Sequence, residues 1–147
     1  DVYKRLPTPT LSFPVVADIR AELPTAVSIA SKSNSALNIT SNIFDNTNLK
    51  VYRSNDVIGI EIGGALKNVI AIGAGIIDGV GHSESTKAAF ITRSYYEIRN
   101  FAKVLGAKDQ TFFGLSGIGD LTLTCSSLKS RNTKFGIKIA NIKHKNF

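Results

Sequence analysis

Between Glu61 and Asp78 the only polar side chains are Lys67 and its neighbour Asn68. From Asp56 onward Ile62, Leu66, Val69, Ile70, Gly73 and Ile77 recur at the spacing of one helical face, and the other positions of the stretch are nearly all apolar as well. That pattern predicts a long helix buried nearly all round, so the rest of the chain must supply layers to cover it. Gly63, Gly64, Gly73 and Gly75 each cost such a helix roughly 1 kcal/mol against alanine. Their presence predicts a close approach by another backbone or by a ligand.

The neighbouring segments offer the needed layers. Ser83 or Ser85 suits a helix N-cap, followed by Ala88, Ile91, Tyr95, Ile98, Ala102 and Leu105 on one stripe and Gly106 as a stop. Residues 107–128 read as a short helix, a glycine-rich turn and a threonine-rich segment, and residues 130–140 as the opening of another helix. Upstream, Ala26, Val27, Ile29 and Ala30 suit a buried strand, Ser35 to Phe44 a short helix and Leu49 to Tyr52 a second strand. Three of the four prolines, Pro7, Pro9 and Pro14, make residues 1–14 extended or irregular. The expectation is the α/β end of a Rossmann-like domain over 1–55, then part of an all-α C-terminal domain over 56–147.

Composition removes several classes of function. With 43% hydrophobic and 20% charged residues the chain is a folding one, not a disordered one. One cysteine, Cys125, excludes an internal disulfide framework. No signal peptide and no transmembrane run of about 20 apolar residues is read, so the expected compartment is the cytoplasm, without membrane insertion. His82 and His144 have no partners at ligand spacing, so no metal is expected. The net charge of +7 gathers in Lys129, Arg131, Lys134, Lys138, Lys143 and Lys145. No aromatic residues interleave with the cluster as a base-stacking surface needs, which favours a phosphate ligand over nucleic acid. The chain has no methionine and opens on Asp1, which suggests an excerpt or the remnant of a longer frame.

Three places carry candidate chemistry. Lys67, on a helix that otherwise demands burial, is either a lysine that snorkels to the surface or a proton-transferring amine, because desolvation makes an ammonium readier to lose its proton. Gly117-Ile118-Gly119-Asp120 is a weak dinucleotide fingerprint, since Thr122 stands where the third glycine belongs. It reads better as a tight turn that starts a new element, with Asp120 either a helix cap or a carboxylate that orients a lysine. Ser130, Arg131 and Asn132 open a helix, and amides at a helix start together with a guanidinium fork suit a phosphate. An ordinary capped helix start is the alternative.

Taken in order, Gly63-Gly64-Ala65-Leu66-Lys67-Asn68-Val69-Ile70-Ala71, Gly75 to Gly81, Thr86-Lys87-Ala88-Ala89, Leu115 to Cys125 and Ser130-Arg131-Asn132 resemble the NAD(P)-dependent glycerol-3-phosphate dehydrogenases in their bacterial form. The resemblance runs from about Leu23 to about Ala140. It implies an N-terminal Rossmann domain for the nicotinamide cofactor and a C-terminal helical domain with most of the catalytic groups. It also implies that Lys67 accepts a proton when sn-glycerol 3-phosphate is oxidised and donates one when dihydroxyacetone phosphate is reduced. Asp120 and Thr124 are implied in the substrate and lysine network, Ser130, Arg131 and Asn132 at the substrate phosphate, Arg131 also near NAD(P), and Ala17 at the cofactor.

The departures matter as well. Where the family has a Ser-Gly-Pro turn, this chain has Ser12-Phe13-Pro14 followed by Val15, and by that resemblance Phe13 would crowd the substrate's approach. The G-x-G-x-x-G turn that brings amides to a pyrophosphate is absent. Two readings follow: a catalytic piece of a dehydrogenase serving phospholipid synthesis, or a non-catalytic remnant that at most binds the substrate phosphate or another subunit. Apolar surface on the long helix, left without its core partners, predicts self-association.

Overall fold

The computed structural model describes residues 9–12, 23–127 and 129–144, and Ala17, Phe13 and Val15 lie outside them. Among the described residues the fold is mostly helical with one small sheet. In chain order the elements are β1 (Thr10–Ser12), β2 (Thr25–Ala30), α1 (Asn34–Ile43), β3 (Leu49–Ser54), α2 (Val57–Val80), α3 (Glu84–Val104) and α4 (Asp109–Phe112). A π-helical turn (Leu115–Gly119), α5 (Asp120–Ser126) and α6 (Arg131–His144) follow among the described residues.

The sheet is mixed, in the order β1-β2-β3. β2 and β3 run parallel, with Val27 opposite Val51 and Ile29 opposite Arg53, and α1 makes the crossover that a parallel pair requires. β2 is central and buried along most of its length, which explains its unbroken apolar run. Val27 and Ile29 pack with Leu37 of α1, and Leu49 and Val51 close that cluster. β1 was legible only as an extended stretch; it lies antiparallel to β2, with Ser12 opposite Ser28.

The joint between sheet and helices is Asp56. It caps α2 by accepting from the Gly59 amide at 2.9 Å through Oδ1. Its Oδ2 accepts from the Lys108 amide at 2.8 Å and from the Thr111 hydroxyl, so one buried carboxylate fixes where α2 begins and where α4 sits against it. At the other end, the amides of Gly81 and His82 return to the carbonyls of Asp78 and Ile77, and Gly81 adopts φ 82°. This is a Schellman stop, for which glycine carries no Cβ penalty.

α2 is the axis on which α3, α5 and α6 pack. Its glycines explain the tightest of these contacts. A Cβ on Gly75 would overlap the backbone carbonyl of Thr133, one on Gly136 of α6 would overlap the carbonyl of Ile72, and one on Gly79 would lie 2.6 Å from the Ala140 Cβ. Small residues on both helices thus bring the two backbones together. Gly73 leaves room for the Phe90 ring of α3, and Gly63 for the Ser116 carbonyl of the π turn. Gly64 has nothing within 4 Å, so of the four glycines singled out it alone faces open space.

Four expectations need correction. α2 is not buried nearly all round: Val69 is 64% exposed, because the described elements cover only part of its circumference. By length and mean hydropathy, 24 residues at 1.5, α2 also passes for a helix able to cross a membrane, contrary to the reading that no such run exists. Its glycine contacts to α6 and the π turn make it the axis of a helical core. On α3, the expected stripe frays at both ends, with Ala88 and Leu105 exposed. The threonine-rich segment is the helix α5, in which the hydroxyls of Thr124 and Ser126 turn back onto the carbonyls of Asp120 and Thr122.

Candidate functional site

Lys67 and Asn68 are consecutive on α2 and therefore diverge around the helix, each to a different neighbour. The Lys67 Nζ pairs with the Asp120 Oδ2. The Lys67 side chain keeps 20% exposure while that of Asp120 keeps 2%, so the lysine is partly exposed and the carboxylate lies in the interior. Asn68 donates to the Gly64 carbonyl at 3.1 Å and accepts at Oδ1 from Asn132 Nδ2 at 2.8 Å. One helix thus holds the first residue of α5 through its lysine and the start of α6 through its asparagine.

The placement of Asp120 follows from the π turn before it. A Cβ on Gly117 would overlap the Phe112 backbone, so only glycine lets this turn close onto α4. The Gly117-Ile118-Gly119-Asp120 sequence is therefore a turn that launches a helix, the plainer of its two readings. Behind it, Leu121 and Cys125 pack with Ile70, Ala71 and Ala74 of α2, and Phe90, Ile91, Tyr95 and Ile98 close the cluster from α3. Burial raises the Cys125 thiol to about 11, against the opposing charge of Lys87, which marks it as an inert core residue.

The other expected site residues fall nearby. The Thr124 hydroxyl donates to the Asp120 carbonyl at 2.6 Å, and the Thr124 carbonyl accepts from the Thr133 hydroxyl at 3.0 Å. Thr124 therefore joins α5 to α6, and its hydroxyl does not touch Lys67. The Ser130 hydroxyl accepts from the Thr133 amide at 3.2 Å, so it caps α6. Arg131 is exposed. Asn68 and Ser12 were not singled out as site residues, although Asn68's place beside Lys67 in an apolar run was a usable signal. Ser12 donates to the Asp120 Oδ2 at 3.1 Å across a separation in sequence that no local pattern reveals. No group of His, Cys, Asp and Glu that could hold a metal occurs among the described residues.

The Lys67–Asp120 ion pair is thus linked, through Asn68 and Asn132, to the helix start that carries the exposed Arg131. In a solved glycerol-3-phosphate dehydrogenase from Coxiella burnetii the same fold recurs over 90% of this chain and 41% of that one, with a TM-score of 0.86 and 37% identity. The structure described for Dunaliella salina superposes with a TM-score of 0.86 at 28% identity, over 93% of this chain and 24% of that one. A glycerol-3-phosphate dehydrogenase [NAD(P)+] of Listeria monocytogenes is 47% identical over 92% of this chain and 40% of its own length. That of Clostridium botulinum is 43% identical over 92% of this chain and 41% of its own length. The family described as NAD-dependent glycerol-3-phosphate dehydrogenase C-terminus matches residues 56–146. The chain belongs to that family of NAD-dependent dehydrogenases, and it spans about two fifths of the length of the curated relatives it matches.

Proposed function

We propose that this chain is the substrate-handling and proton-transferring part of an sn-glycerol-3-phosphate dehydrogenase, which interconverts sn-glycerol 3-phosphate and dihydroxyacetone phosphate by hydride transfer with NAD(P). The observation that carries the reading is the Lys67–Asp120 pair, beside the Asn68–Asn132 link to the start of α6. In the reduction direction Lys67 is in the state that acts: an ammonium, held by a buried carboxylate, that delivers a proton to the oxygen of the central carbon as negative charge develops there. In oxidation the amine takes that proton back.

The substrate's phosphate suits Arg131, with Ser130 and Asn132 beside it at the start of α6. An exposed guanidinium there adds its charge to the positive end of a helix. Thr124 acts on this site by holding α5 to α6. The nicotinamide, when bound, exchanges the hydride with the same carbon. The described residues include no glycine turn for a pyrophosphate; Arg131 is the one described candidate for a cofactor contact, and Ala17 is a second in the sequence. Residues 1–55 are read as the end of the Rossmann domain and 56–147 as the catalytic helical domain. The same reading assigns a cytoplasmic place, a role in supplying phospholipid synthesis, and self-association through exposed apolar side chains such as Val69 and Phe135.

The test is dihydroxyacetone phosphate reduction by the purified chain with NADH and with NADPH, alongside its Lys67→Ala variant. Turnover that drops by about 10²–10⁴ in Lys67→Ala, the usual worth of a positioned acid, supports the catalytic reading. No turnover in either preparation, with dihydroxyacetone phosphate binding by calorimetry that is lost in Arg131→Ala, would establish the non-catalytic remnant instead.

A further inference from the structure

We infer that Ser12 is a positioning residue for the Lys67–Asp120 pair, acting through the Asp120 carboxylate and tying that pair to the sheet. The inference rests on the functional reading of Lys67 given above.

Asp120 is 1% exposed, so its carboxylate has given up its water and depends on the donors the protein supplies. Two reach the same oxygen, Oδ2: the ammonium of Lys67 from α2 and the hydroxyl of Ser12 from β1, the latter at 3.1 Å. They come from different layers of the fold and therefore fix the carboxylate from two directions. The ammonium changes its charge when Lys67 passes its proton on. At that moment the charge-assisted bond from Lys67 weakens to that of a neutral amine, and the Ser12 hydroxyl carries a larger share of what holds the buried carboxylate.

The Ser12 hydroxyl is not needed to dock its own strand. β1 already pairs with β2 from Thr10↔Ala30 to Ser12↔Ser28, and the Thr10 hydroxyl anchors it to α2 through Glu61 Oε1 at 2.9 Å. The hydroxyl of Ser12 is thus free to serve the carboxylate. Because β1 belongs to the sheet and Lys67 to the helical layer, this bond makes the geometry of the pair depend on where the sheet sits.

The experiment follows the ¹⁵Nζ–¹H signal of the Lys67 ammonium, assigned by its loss in Lys67→Ala, in the full chain and in Ser12→Ala, Ser12→Val and Ser12→Thr. The expected result is a solvent-protected signal in the unsubstituted protein and exchange about tenfold faster in the Ala and Val variants, the factor matching a lost hydrogen bond to a charged group. Ser12→Thr, which keeps the hydroxyl, restores the protection. Val and Thr have nearly the same shape, so their difference isolates the hydroxyl even where Ser12→Ala misfolds. Unchanged exchange in Ala and Val, no protected ammonium in the unsubstituted protein, no restoration by Thr, or unfolding of both hydroxyl-free variants would each overturn the inference. Turnover is read separately: Ser12-dependent protection without dihydroxyacetone phosphate reduction would sink the catalytic reading and leave the positioning intact.

Discussion

Cys125 and Lys67 flank the same small core, the cysteine enclosed in it and the lysine at its edge. The thiol is 1% exposed and raised to about 11; the Lys67 side chain is 20% exposed and has a carboxylate partner. The expected outcome is that a disulfide reagent at pH 8 modifies the folded protein far more slowly than the urea-unfolded one, because the thiolate is scarce and the sulfur inaccessible. Equal rates in the two states would mean that the core around Ile70 and Leu121 opens readily. Lys67 could be singled out from the sequence because one charge in an apolar run demands a reason. Its partner could be narrowed to a carboxylate at a turn, but not shown to be bound, since the pairing spans 53 residues. Ser12 stands out in the sequence only as the start of the segment that departs from the family's turn: a serine on a short strand carries no local signal of its partner, and only the tertiary arrangement brings it to Asp120.

At the level of elements, the glycines of α2 separate into those that packing requires and one that it does not. Gly75→Ala or Gly136→Ala would drive a methyl group into a carbonyl of the facing helix. Backbone atoms cannot swing aside as side chains do, so the expected loss is at least about 1–3 kcal/mol, the usual cost of overpacking. Gly64→Ala meets nothing within 4 Å and should stabilise α2 by up to about 1 kcal/mol through helix propensity. Urea unfolding of the three variants checks the contrast, and a loss at Gly64 as large as that at Gly75 would refute it. The helices and the two main strands were legible because each has its own period, cap or stop: Ser83 does accept from the Thr86 amide and Gly106 does take a positive φ, 91°. β1 and α5 were not, β1 because three residues are too few to show a period, and α5 because threonine favours the helix weakly. Burial on the π turn and α2 overrides that preference.

Across the whole molecule, Tyr95, together with Ile98, links two parts of the helical core. Its ring packs both against the cluster of Ile70, Ala71, Ala74, Leu121 and Cys125 and against that of Ala102, Ala107 and Phe112. It meets the Phe112 ring at a centroid distance of 6.2 Å, and its hydroxyl donates to the Phe112 carbonyl. Burial pushes the phenol up from 10.0 to about 12, against the nearby charge of Arg99. In the unfolded chain the same phenol ionises near 10. Between these values the unfolded state releases a proton that the folded state still holds, so rising pH draws the equilibrium toward unfolding. The stability this group contributes is complete below pH 10 and is lost as the pH climbs toward 12. Tyr95→Phe forfeits the hydrogen bond, about 1 kcal/mol, and so starts less stable at pH 8, but it has no proton to lose and should fall less steeply between pH 10 and 11.5. Urea midpoints at those pH values measure the two slopes; if they are parallel, the alkaline limit of this fold is set by some other group and Tyr95 holds the two clusters together by packing alone.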